Sequence, residues 1–191
     1  KYNMGEDSTC EDANIELAEE GCELIFNNSY GFEPFMLKVA PDYPEIQFVG
    51  CTNQGSWNDG LDNTHNAFAN IYEGRYVAGV VAGMKIKELI DSGKITADQA
   101  KIGYVGAYNY AEVVSGYTAF FLGVQSVYPN VAMEVMYTNS WFDIDKEGAA
   151  AEALIANGSV IIGQHADSTG APAAVQKLQD AGTICYSIGY N

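Results

Sequence analysis

Basic residues are scarce in this sequence of 191 residues. Nine Lys and Arg residues stand against 25 Asp and Glu residues, the formal net charge is −16, and Arg75 is the only arginine. Such a chain repels phosphate backbones and anionic lipid headgroups, so we expect no nucleic acid partner and no charged membrane surface. No apolar run reaches the roughly 20 residues that a membrane-spanning helix needs. By itself, the acidic excess favours only solubility.

The motifs of several enzyme classes are also missing. The four cysteines contain no CxxC pair, so zinc and thiol redox sites have little support. Neither GxxxxGK[ST] nor GxGxxG occurs, and no phosphate cradle is therefore predicted. Ser168, His165 and Asp143 could supply a Ser–His–Asp set, but no GxSxG elbow or oxyanion hole accompanies them. We therefore expect no enzyme, no cofactor and no metal.

Apolar segments with strand and helix signatures alternate along the chain. Strands are predicted at 22–27, 46–51, 101–106, 131–137, 160–163 and 183–188. Helices are predicted at 12–20, 35–40, 67–92, 113–127, 146–157 and 171–180. Strands separated by helices indicate an α/β fold with parallel sheets and helices on both faces.

These strands fall into two groups on either side of the polar segment 52–66. That segment is rich in Asn, Gly and Asp, which predicts a loop or linker. We predict two Rossmann-like lobes, a partial first lobe over 1–58 and a second lobe over 59–191, with a hinge near 52–66 that uses Gly55 and Gly60. Two parallel strands are too few for an independent sheet. The first lobe is therefore expected to be incomplete and to associate through its open edge.

The loops that follow the strands are rich in aromatic, amide and carboxylate side chains. Parallel sheets bind ligands beyond the carboxyl ends of their strands, so these loops are the candidate site. Their composition suits a flat ligand with polar edges, because rings stack on its faces and polar groups bond to its edge. The candidate ligand contacts are Tyr30, Phe32, Tyr108, Glu112, Asn139, Trp141, Phe142, His165 and Asp167.

Several residues in these loops also have a possible structural role. Asp143 is expected to cap the helix that follows it, and Trp141 could pack as a lid on the core. Asp167 or Ser168 could likewise cap the next helix instead of contacting a ligand. Arg75, which lies within a long predicted helix, is expected to form a structural ion pair or to bind a backbone group.

Several distinctive sequence motifs follow one another along the chain. Five segments carry them, at 24–32, 72–83, 101–107 with 112–114, 139–143 and 164–168, and they include RYxxGxxAG, NSWFD and QHxDS. The sequence resembles the basic membrane protein family of transporter substrate-binding lipoproteins, which have the type I periplasmic-binding-protein fold. The segments bearing NSWFD and QHxDS are most similar to members that bind adenine-type bases.

The resemblance implies an extracytoplasmic, membrane-anchored lipoprotein that delivers a purine base or nucleoside, such as adenine, to an ABC permease. In such members, Trp141 would stack on the base and Asp167 would bond to its edge. Tyr30 and Phe32 would face the ligand from the first lobe.

Some family features are absent from this sequence. It lacks the initial strand with a GxxxDxGW loop and the later strand pair, so we expect a truncated chain, and Ala166 stands where Thr is usual. Two alternatives to a binding protein stay open, an α/β enzyme of nucleoside hydrolase type and a ligand-sensing domain of a receptor. The lack of an assembled acid–base set disfavours the enzyme.

Overall fold

The computed structural model describes residues 1, 4–52 and 59–190. The chain divides into two compact units, Lys1–Ala69 and Asn70–Asn191. Residues 53–58, which include Gly55 and much of the predicted hinge, lie outside the described residues. The hinge therefore stays a prediction.

The first unit is built around a three-stranded parallel sheet. Its elements are α1 (Ser8–Glu19), β1 (Leu24–Asn27), α2 (Glu33–Val39), β2 (Gln47–Gly50) and β3 (Thr64–Asn66), with short 3-10 segments at Tyr30–Phe32 and Ala40–Asp42. The strand order is β1-β2-β3, and both pairs are parallel. The buried core includes Ile25, Met36, Val39 and Phe48.

Strand β3 corrects the prediction that 52–66 is wholly a loop and that the first lobe has two strands. Phe48 pairs with Thr64, and the backbone N–H of Phe48 donates to the carbonyl oxygen of Asn63 over 2.8 Å. The Asn63 side-chain amide lies within hydrogen-bond distance of the carbonyl oxygens of Ala40, Tyr43 and Ile46, at 2.9, 3.0 and 3.1 Å. A buried amide thus anchors a polar strand that hydrophobic periodicity does not reveal. The segment 59–69 consequently lies in the first unit.

The second unit is a four-stranded parallel sheet flanked by helices. Its elements are α3 (Ile71–Asp91), β4 (Lys101–Gly106), α4 (Ala111–Val127), β5 (Ala132–Tyr137), α5 (Ile144–Ala156), β6 (Ile161–His165), α6 (Gly170–Asp180) and β7 (Tyr186–Ile188). The strand order is β5-β4-β6-β7, and all pairs are parallel. The four strands and four helices predicted here are confirmed, with ends that differ by a few residues.

Two buried clusters in this unit hold the helices on the sheet. Alternate residues of β4 point to opposite faces, so Ile102 and Tyr104 belong to the cluster with α3 and α4, and Val105 belongs to the cluster with α5 and α6. Helices α3 and α4 approach closely, because a Cβ atom on Gly79 would overlap the carbonyl oxygen of Phe120. Within the described part of the chain, no helix has both the length and the apolar character that a membrane crossing requires.

Candidate functional site

An aromatic cluster lies at the carboxyl ends of the strands in the second unit. We define it as Tyr108, Tyr110, Trp141, His165 and Tyr190. The Tyr108 ring stacks on Tyr110 at 4.9 Å and meets Trp141 edge-on at 5.5 Å. The His165 ring lies 6.4 Å from Trp141 and 4.5 Å from Tyr190. Each ring ends or follows one of the four strands β4 to β7, so the parallel topology itself brings the rings together.

Local hydrogen bonds shape the loop 138–143 that carries Trp141. The Thr138 hydroxyl donates to the Ser140 carbonyl oxygen over 2.8 Å, and Asn139 takes a φ of 53° in the left-handed region, which Asn tolerates better than most residues. Trp141 is half-buried, whereas Asn139 and Phe142 are exposed. Trp141 is therefore the ring of this loop that packs into the aromatic cluster.

Asp143 caps helix α5, which confirms the structural alternative for this residue. Its carboxylate accepts a hydrogen bond from the backbone N–H of Lys146 over 3.0 Å. The same hydrogen bond holds the pKa of Asp143 below its usual value. Asp143 is thus engaged by the helix that it starts.

A buried carboxylate, Glu147, joins the loop of Trp141 to the loop of Asp167. Glu147 is fully buried, and it accepts hydrogen bonds from the backbone N–H of Asp143 at 3.1 Å and from that of Ser168 at 3.2 Å. The Asp167 backbone N–H also donates to the Trp141 carbonyl oxygen over 2.7 Å. Sequence reasoning missed Glu147, although a carboxylate in the first turn after a capping Asp is a signal for such a contact.

Asp167 does not cap helix α6. Thr169 holds the N-cap position, and the Ser168 hydroxyl accepts the hydrogen bond from the Gly170 backbone N–H at 3.1 Å. The Asp167 carboxylate makes no hydrogen bond or ion pair with another described residue and reaches solvent. Partial burial and the nearby Glu147 charge raise its pKa, against an opposing effect of His165. The Asp167 carboxylate is therefore an acceptor in the loop next to that of Trp141, and it has no side-chain partner in the described part of the chain.

The His165 ring of the cluster and the neighbouring Glu112 are both shielded from solvent. His165 is fully buried and Glu112 is 5% exposed, with His165 Nε2 only 2.6 Å from Glu112 Oε1. The two groups are not aligned as in a well-formed hydrogen bond, so the contact is a close polar approach. Gly116 makes room for the ring, because a Cβ atom there would lie 2.7 Å from His165 Nδ1. Ser168 and Asp143, which the sequence analysis considered with His165 as a Ser–His–Asp set and disfavoured, are engaged at helix starts.

Arg75 binds a backbone group, as the sequence analysis allowed. It is 7% exposed, and its Nη1 donates to the Tyr190 carbonyl oxygen over 2.9 Å. Its Cζ also lies 4.0 Å from the centre of the Tyr190 ring. Burial raises the pKa of Tyr190 to about 12, and Arg75 opposes that shift. Sequence reasoning missed Tyr190, although the search of loops after strands would have reached it if extended to β7.

Tyr30 and Phe32 lie in the first unit, directly after β1. They form a 3-10 segment and are half-buried. Glu6 holds this segment, accepting hydrogen bonds from the Ser29 hydroxyl at 2.5 Å and from the Gly31 backbone N–H at 3.1 Å. The two rings are thus fixed at the carboxyl end of a strand, as expected of ligand contacts in this fold.

The chain matches a known family along almost its whole length. The model of the Bmp family, described as ABC transporter substrate-binding protein PnrA-like, covers residues 2–191. The chain belongs to this family. The resemblance inferred from the sequence patterns is confirmed.

The chain is similar to two relatives in sequence and to a solved structure in fold. A purine-binding protein of Brucella abortus is 39% identical over 94% of this chain and 46% of its own length. A Haloferax volcanii protein, named for glucose binding in an ABC transporter, is 35% identical over 92% of this chain and 40% of its own length. The chain therefore spans less than half the length of these two relatives. An Aeropyrum pernix solute-binding protein of an ABC transporter shares the fold, with a TM-score of 0.84 at 20% identity over 98% of this chain and 51% of that one.

Proposed function

We propose that this chain is part of an extracytoplasmic solute-binding protein that delivers a purine base or nucleoside to an ABC permease. The observation that carries the proposal is the half-buried Trp141 in the aromatic cluster, whose loop bonds to that of Asp167, a carboxylate with no partner among the described residues. A planar heterocycle stacks on indole and phenol rings, and its exocyclic N–H groups donate to a carboxylate. The name of the Brucella relative supports the same ligand class.

Asp167 is the group that gives the site its polar selectivity in this proposal. Its carboxylate accepts hydrogen bonds only, so it favours a ligand edge that donates, such as the amino group of adenine. Asp167 is held in position through its own backbone, which donates to the carbonyl oxygen of Trp141 over 2.7 Å. The stacking ring and the acceptor are therefore mutually positioned before any ligand binds.

Binding without chemical turnover is part of the proposal. It is supported by the Ser–His–Asp set of the sequence, because Ser168 and Asp143 each hold a helix start and His165 is enclosed next to Glu112. Anchoring of the whole protein to the membrane as a lipoprotein belongs to the proposal through the family resemblance alone.

Calorimetric titration with adenine, guanine, adenosine and glucose tests the proposal. We expect binding of at least one purine and none of glucose, with the ligand recovered unchanged by chromatography. Glucose is the informative competitor, because the name of the Haloferax relative points to a sugar and sugars also stack on Trp faces. Glucose binding without purine binding, or conversion of a nucleoside to its base, would overturn the proposal.

Replacement of the stacking ring locates the site. Trp141→Ala should weaken purine binding by about 1–3 kcal/mol, roughly 5- to 150-fold. Leu122→Ala, at an exposed position on α4, is the matched control and should change nothing. Equal affinities of the two variants would place the ligand elsewhere.

A further inference from the structure

The only arginine of the chain is buried behind the aromatic cluster with few partners. Arg75 is the fifth residue of α3, and its Nε and Nη2 atoms are buried and have no hydrogen-bond partner among the residues that the structure describes. Burying a cation with unpaired donors costs stability. A purely stabilising role therefore does not account for the placement of Arg75.

The contacts that Arg75 does make converge on one residue. Nη1 donates to the Tyr190 carbonyl oxygen at 2.9 Å, and the guanidinium carbon lies 4.0 Å from the Tyr190 ring centre. Both the backbone and the ring of Tyr190 are therefore held by one side chain 115 positions earlier in the chain. A planar guanidinium suits this double contact, because it can stack on a ring while its edge donates hydrogen bonds.

Tyr190 in turn contacts the ring that lies next to Trp141. The Tyr190 and His165 rings are 4.5 Å apart with an interplanar angle of 34°, and His165 lies 6.4 Å from Trp141. Gly116 lies close to both His165 and Arg75, since a Cβ atom there would lie 2.7 Å from His165 Nδ1 and 3.8 Å from Arg75 Cγ. Movement of Arg75 or Tyr190 would therefore change the packing on His165.

We propose that Arg75 is a positioning residue for the ligand site, which holds the Tyr190 ring against His165 and thereby fixes the surface that Trp141 offers to a ligand. The effect on affinity rests on the proposed function, whereas the effect on Trp141 does not. Arg75 acts through Tyr190 and touches no ligand itself. Tyr190 becomes a further residue of the site.

Trp141 can report this linkage in the unliganded protein. In a Trp57→Phe background, Trp141 is the only tryptophan, so emission and acrylamide quenching measure its surroundings directly. Arg75→Met and Tyr190→Ala should each increase quenching and shift the emission to the red. Tyr190→Phe keeps the ring and the backbone carbonyl, and it should behave like the background protein. Arg75→Lys keeps a cation and a donor, and it should recover most of the effect.

Adenine titration of the same variants measures the consequence for binding. Arg75→Met and Tyr190→Ala should each weaken binding roughly tenfold, less than the full contribution of the contacts that Arg75 makes, because Arg75 acts on the ligand only through Tyr190. The double variant should be no weaker than either single variant, because both remove the contact between the guanidinium and the Tyr190 ring, through which Arg75 acts on the site. Lys85→Met is the matched control, because it removes another contact between a cation of α3 and a tyrosine ring. Lys85 Nζ lies 4.6 Å from the centre of the Tyr186 ring, at the start of β7, and the loss of this contact should leave both readouts unchanged.

The outcomes separate the positioning role from the proposed function. If the background protein binds no purine, the proposed function fails, and Trp141 emission still decides the role of Arg75. Unchanged emission and quenching in folded Arg75→Met, or additive effects in the double variant, would overturn the positioning role. If Arg75→Met does not fold by circular dichroism, Tyr190→Ala decides, because it removes the held ring without removing the buried charge. Unchanged Trp141 emission in Tyr190→Ala would then overturn it.

Discussion

Replacing Glu147 by glutamine should loosen the two loops that carry Trp141 and Asp167. The Glu147 carboxylate is fully buried and accepts from the backbone N–H groups of Asp143 and Ser168 at 3.1 and 3.2 Å. One carboxylate oxygen accepts from both amides, and the other accepts from the Ser168 N–H alone. Glutamine keeps the first oxygen and places an N–H₂ group where the second lay, so one hydrogen bond from the Ser168 N–H is lost and a buried N–H faces that donor.

The expected cost follows from these contacts. A hydrogen bond to a charged group contributes about 1.5–3 kcal/mol, and the neutral side chain is easier to bury, so we expect a net loss of about 2 kcal/mol. For a chain of this length that loss lowers Tm by about 4–8 °C. Purine affinity should fall as well, because Asp167 and Trp141 no longer keep one relative position.

Thermal unfolding by circular dichroism, with Glu152→Gln as control, measures the effect. Glu152 lies on the same helix and pairs with Lys177 over 3.0 Å at the surface, so its replacement should cost less than about 1 kcal/mol. The reasoning on Glu147 would be refuted if both variants melted within 2 °C of each other, roughly the smallest difference that the argument allows.

Three other substitutions follow from the site. Partial burial and Glu147 raise the pKa of Asp167 in the folded protein, so the folded protein binds that proton more tightly than the unfolded chain does, and stability falls as pH rises from the unfolded-state pKa through the folded-state pKa. Asp167→Asn should therefore raise Tm at pH 7 while weakening purine binding. The gain in Tm should vanish below about pH 3.9, where Asp167 is protonated in both states. Asp143→Ala removes the cap of α5, so Tm should drop by a few degrees with little change in affinity, and a large loss in a purine titration would instead make Asp143 a ligand contact. Gly116→Ala should cost about 1–3 kcal/mol by urea unfolding because its methyl group meets His165, and a stability equal to the parent would mean that the ring can move aside.

The parts of the fold that sequence patterns predict are those driven by local apolar runs. Strand β4 matches the predicted 101–106 residue for residue, because an apolar run between polar flanks is a local signal. The loops after the strands follow from the same pattern, and they hold Tyr108, Trp141 and Asp167. Strand β3 is missed because its anchor is the Asn63 amide, which bonds to carbonyls about 20 positions earlier.

The residues behind the site could not be predicted for a related reason. The bond from Arg75 to Tyr190 joins positions 115 apart, and Glu147 meets Ser168 across 21 positions. Such pairings depend on strand order, which periodicity within one segment does not contain. Sequence reasoning could therefore name the loops but not the side chains that hold them.

The buried charges of the molecule are gathered at one edge of one sheet. Among the described residues, Arg75, Glu112 and Glu147 are the buried side chains of the Arg, Lys, Asp and Glu types, and all three lie around the carboxyl ends of β4 to β7 with His165. Buried charges generally cost stability compared with apolar side chains of similar size, and they cluster where a site needs fixed polar groups. A chain that carries −16 has ample surface for its acidic groups, so charge balance does not explain why two of them lie inside. Both lie at the site: Glu147 holds two loops, and Glu112 lies against the His165 ring, which is between Trp141 and Tyr190. The cost in stability is thus concentrated where the proposed ligand would bind, which is the pattern expected when rigidity of a binding surface, not stability of the fold, determines the residue.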